Sequence, residues 1–347
     1  MSPNDHGLDL PGRAATITPV LEVRDLKVHF PLKKKLPWSA ALKVHAVDAI
    51  NFEIAAGKTL GIVGESGSGK TTAALAVMRL VAVTSGQVRL MGQDTAALSG
   101  EAAREMRRHL QMIFQDPYSS LNPRMKAGDI VEEPMLLMKM GTPEERKARA
   151  RELFAQVGLR PDQMPLFPHQ FSGGQRQRIG IARALSTRPR LIVCDEPVSA
   201  LDVAIQAQIL NLLARLQRDH GLSYLFISHD LGVIQHVCDE VAVMYLGKIV
   251  EQGSREALFA RPLHPYTWAL FSAVPSMENR RNQGARRVAV EGDPPSPIHL
   301  PPGCRFAGRC PYALAHCHQV EPQLREVGQG QRVACHRVED DGSTPHM

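Results

Sequence analysis

The sequence of 347 residues lacks any run of about 18 apolar residues, the length that a helix needs to cross a bilayer. It also lacks a basic segment followed by an apolar one near its start, where Asp5, Asp9 and prolines stand instead. We therefore expect the chain to remain in the cytosol. Disorder and fibrous repeats are excluded as well, because 44% of the residues are hydrophobic and 22% are charged, as in ordinary globular proteins.

Cysteine is scarce, and six cysteines in a chain without a signal peptide do not indicate a disulfide framework. Four of them cluster late in the chain with the spacing C-x5-C-x6-C-x17-C: Cys304, Cys310, Cys317 and Cys335. The C-x2-C pairs typical of structural zinc are absent, yet four thiolates suit either Zn²⁺ or an iron–sulfur cluster. Free thiols are the remaining alternative. We expect the other two, Cys194 and Cys238, to be buried core residues.

The chain divides into regions of different patterning. Residues 1–19 are polar and without a period, which predicts a flexible leader. Between residues 20 and 260, short Val/Ile/Leu-rich runs alternate with amphipathic stretches, as in an α/β domain. Strand signals fade in residues 115–185, which predicts a helical subdomain there. Eleven of the 25 prolines lie beyond residue 261, so residues 261–347 are expected to form a loop-rich, Cys-containing C-terminal extension.

The most specific motif is G-x-x-x-x-G-K-T, which follows the predicted strand Thr59–Val63 and opens into a helix-compatible run. Glycines there let backbone N–H groups curve around a phosphate chain, and a helix N-terminus favours the same anion. The lysine can reach the β- and γ-phosphates and the threonine hydroxyl can bind Mg²⁺. The net charge of +6 is compatible with such an anion. The predicted ATP-binding residues are Gly64, Ser66, Gly67, Ser68, Gly69, Lys70, Thr71 and Thr72.

Two carboxylates end another predicted strand, Leu191–Cys194. Asp195 and Glu196 would lie at the carboxyl edge of a parallel sheet, where such sheets bind ligands. Asp195 suits the Mg²⁺, while Glu196 can orient and polarise the water that attacks the γ-phosphate. Such a pair alone is more often a helix cap or a turn, but the phosphate motif makes the catalytic interpretation the better one.

At this point the chain resembles the ATP-binding cassette (ABC) family, because Phe171 and the four residues after it match the family's signature sequence. The family usually has Leu at the position of Phe171, and the Ser and both Gly are in place. The resemblance implies a P-loop ABC-type nucleotide-binding domain. It also implies that the signature residues act on ATP held by a partner subunit: Ser172, Gly173, Gly174 and Gln175.

Further family elements follow in order. By resemblance, Gln115 senses Mg²⁺ and contacts the transmembrane subunits, Asp202 belongs to the loop that crosses the dimer, and His229, after the predicted strand Tyr224–Ser228, contacts the γ-phosphate. Mg²⁺ is thus assigned to Thr71, Gln115 and Asp195. Taken singly, Gln115 could be a loop amide, Asp202 a helix cap and His229 a strand-end histidine. The aromatic residue expected to stack on adenine is Phe30, which could also be a core residue.

Four segments narrow the resemblance to the ATPase subunits of bacterial dipeptide and oligopeptide importers: residues 119–124, 196–202, 264–266 and 301–310. Within that group the chain is most similar to the F-type ATPases of dipeptide permeases. These pair with a D-type ATPase and two transmembrane permease subunits, and a binding protein delivers the substrate. The resemblance implies a peripheral position on the cytoplasmic face of the inner membrane. It also implies a 4Fe-4S cluster on the four late cysteines, ahead of zinc.

Two alternatives remain. Similar ATPases also serve nickel, opines or short sugars, so the cargo can differ while the role stays the same. A soluble ATPase associated with nucleic acid is the rival class, because the ABC family includes such members. Those members carry two cassettes or a long coiled coil, and this sequence has one cassette with no sustained heptads. We therefore expect no nucleic-acid partner.

Overall fold

The computed structural model describes residues 18–32, 42–272, 292–328 and 330–344. Most of the predicted leader, residues 1–17, lies outside these ranges. No helix within them combines the length and the apolar character needed to cross a bilayer.

Short strands and helices alternate through most of the described chain. The strands are β1 (Leu21–Pro31), β2 (Lys43–Ile54), β3 (Thr59–Val63), β4 (Ser85–Leu90), β5 (Gln93–Asp94), β6 (Leu110–Ile113), β7 (Leu191–Asp195), β8 (Ser223–Ile227), β9 (Glu240–Tyr245), β10 (Lys248–Ser254), β11 (Arg325–Val327) and β12 (Gln331–Val333). The helices are α1 (Lys70–Val77), α2 (Gly100–His109), α3 (Ala127–Leu137), α4 (Pro143–Gln156), α5 (Gly173–Leu185), α6 (Val203–His220), α7 (Leu231–Val237), α8 (Arg255–Ala260) and α9 (Pro265–Ser272).

The strands form two sheets. An antiparallel sheet has the order β2-β1-β4-β5, and a larger mixed sheet has the order β11-β12-β10-β9-β3-β8-β7-β6. Strands β9, β3, β8, β7 and β6 run parallel to one another, while β10 and β12 add antiparallel neighbours. Parallel strands place their carboxyl ends at one edge, and that edge carries the site described below.

Two hydrophobic clusters cover the two faces of the larger sheet. Side chains of one strand alternate between them, so Ile62 and Leu225 join one cluster while Val63 and Phe226 join the other. The cluster with Ile62 also contains residues of α1 and of the antiparallel sheet, and the cluster with Val63 contains residues of α3 to α7. Burial of both faces explains why the central strands read as continuous apolar runs.

The predicted strands are present with shifts of one residue. Thr59–Val63 is confirmed as β3, β7 extends one residue further to Asp195, and β8 is Ser223–Ile227. Helix α4 starts at Pro143, where a capping box between Thr142 and Glu145 fixes its first turn. Three helices, α3, α4 and α5, lie within the segment predicted as a helical subdomain.

The part beyond residue 261 contains more regular structure than the proline count predicts. Helix α9 forms there, and the hairpin β11-β12 pairs with β10 at the edge of the larger sheet. Edge pairing supplies the hydrogen bonds that a short isolated hairpin lacks, which a count of prolines cannot reveal. We call residues 292–344 the C-terminal segment below.

Candidate active site

The phosphate loop, residues 64–71, connects β3 to α1 at the carboxyl edge of the larger sheet. Two of its glycines are sterically required. A Cβ on Gly64 (φ 155°) would stand 2.1 Å from the carbonyl oxygen of Met244, and one on Gly69 (φ 106°) would stand 2.1 Å from that of Ala46. Only glycine allows the backbone to pass this close to its neighbours while its amides curve around an anion.

Lys70 is buried at the first position of α1. Its Nζ donates hydrogen bonds of 2.8 Å to the carbonyl oxygens of Gly64 and Glu65, which hold the ammonium against the loop. Burial lowers the pKa of Lys70, and nearby carboxylates, that of Glu196 first, oppose the shift. A buried cation beside an anion-binding loop is suited to contact phosphate oxygens.

Thr71 and Asp195 come together across 124 residues of sequence. The Thr71 hydroxyl donates to Asp195 Oδ1 at 3.1 Å. Burial raises the pKa of Asp195, and the hydrogen bond from Thr71 opposes that shift. A hydroxyl and a carboxylate side by side form the oxygen donor set that Mg²⁺ prefers.

Glu196 lies between Gln115 and His229. Gln115 Nε2 donates to Glu196 Oε2 at 2.8 Å, and His229 Nδ1 lies 3.0 Å from Glu196 Oε1. The backbone of Glu196 has φ 44°, a left-handed conformation that costs a non-glycine residue energy and occurs preferentially at functional sites. Its N–H is held by the carbonyl oxygen of Ile227 at 2.9 Å. The structure therefore gathers three of the residues predicted for hydrolysis.

The signature residues begin α5. Ser172 Oγ accepts from the Gln175 N–H at 3.3 Å, and the Gln175 side chain accepts from the Ser172 N–H at 2.9 Å. This reciprocal cap defines the start of the helix, and a Cβ on Gly174 would stand 2.6 Å from Ile205 Cγ2. Further along α5, the Arg176 guanidinium stacks over the ring of Tyr118, just after Gln115, with 4.1 Å from Cζ to the ring centroid. The signature helix and the Gln115 loop are thus in direct contact.

Two other predicted residues stand apart from these groups. Asp202 caps α6, accepting from the Ile205 N–H at 3.0 Å, so the alternative of a helix cap describes its contact within this chain. Phe30 lies near the end of β1, opposite Val44 of β2, and is 40% exposed. That exposure sets it apart from the core residues of the same strand.

The four late cysteines lie in the C-terminal segment and form no disulfide. Burial raises the pKa of Cys310 to about 11 and that of Cys335 to about 12, with smaller contributions from the neighbouring thiols. The thiols of Cys304, Cys310 and Cys317 all act on Cys335, so the four share one neighbourhood. Within the described part of the chain, however, no three of them bring their sulfurs within 4.8 Å of one another. Cys194 and Cys238 are buried in the core, as expected.

Sequence reasoning assigned no role to two residues that touch the phosphate loop. Arg309 contacts the Glu65 carboxylate, and the hydroxyl of Tyr266 accepts from the Glu65 N–H at 2.8 Å. Both belong to segments that carried the resemblance to peptide importers, residues 264–266 and 301–310. That resemblance was the available signal, because neither residue belongs to a recognised phosphate-binding pattern.

Comparison with known proteins bears directly on this site. The family model described as ABC transporter matches residues 47–199, and the model described as oligopeptide/dipeptide transporter, C-terminal region, matches residues 250–317. The oligopeptide transport ATP-binding protein AppF of Bacillus subtilis is 48% identical over 93% of this chain and 98% of its own length. The chain belongs to the ABC transporter family, among its oligopeptide and dipeptide transport ATP-binding proteins. It is therefore an ATP-hydrolysing subunit of a transport system.

Other relatives agree with this assignment. The dipeptide transport ATP-binding protein DppF of Escherichia coli is 46% identical over 93% of this chain and 96% of its own. The di/tripeptide transport ATP-binding protein DppF of Pseudomonas aeruginosa is 46% identical over 92% and 98%.

Solved structures agree as well. An ATP-binding cassette solved as a dimer in a post-hydrolysis state with ADP and Pi aligns at a TM-score of 0.59. The two sequences are 28% identical, and the alignment covers 68% of this chain and 98% of the solved one. The cbiO1 part of the cbiONQ ABC transporter complex of Clostridium perfringens aligns at a TM-score of 0.60, with 26% identity and 70% and 92% coverage. The expected ABC ATPase fold is confirmed.

Proposed function

We propose that this ABC ATPase powers the import of dipeptides or short oligopeptides. The printed names of the similar proteins from Escherichia coli, Pseudomonas aeruginosa and Bacillus subtilis support peptides as cargo. The match of residues 250–317 to the C-terminal region of oligopeptide and dipeptide transporters supports the same class. Nickel or another small solute is the alternative cargo.

The single observation that carries the hydrolytic role is the placement of Glu196. Its carboxylate accepts from Gln115 and contacts His229 at the sheet edge that also holds the phosphate loop. In the proposed mechanism Glu196 orients and polarises the attacking water, and His229 contacts the γ-phosphate. Gln115 holds the second carboxylate oxygen, so the orientation of Glu196 depends on the position of the Gln115 loop.

Three residues would hold Mg²⁺: Thr71, Asp195 and Gln115. The contact of 3.1 Å between the Thr71 hydroxyl and Asp195 places two oxygen donors together, and Gln115, which bonds to the next residue, Glu196, would supply its amide oxygen as a third. When bound, Mg²⁺ neutralises charge on the phosphate oxygens. Lys70, the loop amides and Glu196 perform the remaining tasks of binding and water activation.

The proposed assembly has two ATPase subunits, the second being a different, D-type chain, and two transmembrane permease subunits. The signature residues from Ser172 to Gln175 act on the ATP of the partner ATPase, and Asp202 lies in the loop between the two. Because α5 contacts the Gln115 loop within this chain, closure of the signature residues onto partner ATP would move both together. A substrate-binding protein delivers the cargo, and the subunit sits on the cytoplasmic face of the inner membrane.

The four late cysteines are proposed to hold a metal centre. Zinc would hold its sulfur ligands about 2.3 Å from one ion, whereas among the described residues no three of these thiols lie within 4.8 Å of one another. Four cysteines in one neighbourhood provide the number and type of ligands that a 4Fe-4S cluster takes, which is the group that the resemblance implies. The centre would stabilise the segment between Cys304 and Cys310, from which Arg305 and Arg309 reach the cassette.

Anaerobic purification of the full chain tests the metal centre. We expect iron and acid-labile sulfide in stoichiometric amounts, lost in Cys310→Ser and retained in the control Cys238→Ala. If the protein contains zinc but no iron, the site is a zinc site and the 4Fe-4S assignment is wrong. A metal-free protein that folds normally would leave four free thiols.

Uptake of labelled substrates tests the transport role. Cells lacking this gene are assayed with a dipeptide, a longer peptide and nickel, and are then complemented with wild type or Glu196→Gln. We expect dipeptide uptake to fall on deletion and to return only with wild type. If only nickel uptake is lost, the proposed cargo is wrong but the role as the transporter's ATPase stands.

A further inference from the structure

The C-terminal segment contacts the phosphate loop through an ion pair between residues 244 positions apart. Arg309 Nη1 lies 3.0 Å from Glu65 Oε2, and Arg309 Nη2 lies 3.3 Å from Glu65 Oε1. This bidentate geometry fixes both the position and the orientation of the carboxylate. The Arg309 side chain is 10% exposed and that of Glu65 is 34% exposed, so solvent screens the pair only in part.

The guanidinium comes from a segment that is itself firmly attached. Arg309 ends a short helical turn, Ala307–Arg309, that follows Phe306. The Phe306 ring packs edge-on against Tyr245 and close to Tyr266 in the core. One residue earlier, buried Arg305 pairs with Asp48 and donates to the carbonyl oxygen of Leu246. The position of Arg309 is therefore determined by packing.

Glu65 is the one acidic residue of the phosphate loop, and its charge reaches the phosphate-binding lysine. Its carboxylate is among the groups that raise the pKa of Lys70, and its carbonyl oxygen accepts from Lys70 Nζ at 2.8 Å. A negative charge so close to Lys70 weakens the positive potential that draws phosphates into the loop. Arg309 neutralises that charge where it stands.

We propose that Arg309 is a positioning residue for ATP binding, holding and neutralising Glu65 so that the phosphate loop accepts the anionic nucleotide. The inference goes beyond the proposed cargo and metal centre and depends on neither. Tyr266 holds the Glu65 backbone while Arg309 holds its carboxylate, so the C-terminal segment and α9 together set this corner of the loop.

Binding of a fluorescent ATP analogue to the full chain, together with the ATPase kinetics of the assembled transporter, tests the proposal. Arg309→Met should weaken ATP binding and raise KM roughly fivefold to tenfold, because the unpaired Glu65 carboxylate would repel the phosphates that Lys70 attracts. The kcat should change less than about twofold, since Arg309 does not contact Glu196 or His229. Arg309→Lys keeps the positive charge but loses the bidentate contact, so its KM should lie between the KM of wild type and that of Arg309→Met.

The double variant Glu65→Gln/Arg309→Met distinguishes an effect of the unpaired Glu65 charge on ATP binding from an effect of misfolding. Removal of the unpaired carboxylate should restore KM to that of Glu65→Gln alone. The matched control Arg325→Met removes an arginine that pairs with Asp340 within the C-terminal segment and should leave KM unchanged. An unchanged KM in Arg309→Met, or a weakened binding that Glu65→Gln fails to rescue, would overturn the proposal.

Discussion

Glu196 Oε1 lies 3.0 Å from His229 Nδ1, while the other carboxylate oxygen accepts from Gln115 Nε2 at 2.8 Å. These three residues follow β7, β8 and β6, which are neighbours in the larger sheet. Because the three strands are parallel, their carboxyl ends bring the side chains to one point. The catalytic proposal rests on this convergence.

Glu196→Gln should retain ATP binding and lower the turnover of the assembled transporter at least about 100-fold, because an amide is a far poorer base than a carboxylate. ATPase assays and nucleotide-binding measurements on the same preparation check both parts. The control Glu152→Gln alters an exposed carboxylate on α4 and should leave turnover unchanged. Turnover at the wild-type level in Glu196→Gln would remove this residue from the base role.

His229→Ala should lower kcat about tenfold to 100-fold, because its contacts with Glu196 and the γ-phosphate serve hydrolysis, while ATP affinity falls much less, because Lys70 and the phosphate-loop amides still bind the nucleotide. Single-turnover ATP hydrolysis by the assembled transporter measures the chemical step directly. His220→Ala, at the last position of α6, is the matched control. A loss of binding alone, with kcat intact, would contradict the assigned role.

Lys70→Ala should abolish measurable ATP binding, because no other lysine or arginine of the phosphate loop carries that charge. Equilibrium binding of a fluorescent ATP analogue checks the expectation, with the fold verified by circular dichroism. Exposed Lys147 on α4 provides the control, Lys147→Ala. Normal affinity in Lys70→Ala would show that the loop amides suffice.

Arg305→Met should destabilise the protein by about 3 kcal/mol, since it leaves Asp48 and the Leu246 carbonyl without their buried partner. Burial raises the pKa of Asp48, but the hydrogen bond and charge of Arg305 outweigh it and hold that pKa below its ordinary value. Urea unfolding of the variant beside Arg325→Met measures the difference. Wild-type stability in Arg305→Met would show that the Arg305 contacts contribute little.

His264→Asn should change the dependence of stability on pH. Burial lowers the pKa of His264 to about 3, so its contribution to stability is present above its unfolded pKa of about 6.5 and is lost as pH falls toward 3. Buried Glu251, whose pKa is raised to about 7, acts in the opposite direction: its contribution is present below about pH 4.5 and is lost as pH rises through 7. The two effects offset each other between pH 5 and 7 in the wild type.

Removal of the histidine leaves the Glu251 effect, so lowering the pH from 7 to 5 should stabilise His264→Asn relative to wild type by about 2 kcal/mol. Asparagine keeps an oxygen that can accept from the Tyr266 N–H, the contact that His264 Nδ1 makes at 3.0 Å. Urea unfolding at the two pH values measures the change. Parallel curves for the two proteins would show that folding does not lower the pKa of His264.

The sequence by itself determined the local features of this protein. The phosphate loop, with its glycines and the lysine at the start of α1, is a pattern of adjacent residues, so the sequence alone predicts it. The strands Thr59–Val63, Leu191–Asp195 and Ser223–Ile227 were also predictable within one residue, because each is a short apolar run buried on both faces.

Only the tertiary structure decided which distant side chains meet. Packing between separate segments leaves no periodic pattern in the sequence. It determines the ion pair of Arg309 with Glu65, the pairing of the hairpin β11-β12 with β10 and the spacing of the four thiols. Helix α9 and that hairpin add regular structure to the C-terminal part, which was expected to be loop-rich, because their partners lie elsewhere in the chain. Resemblance pointed to residues 264–266 and 301–310, and their contacts with Glu65 supply the physical reason why these segments matter for the phosphate loop.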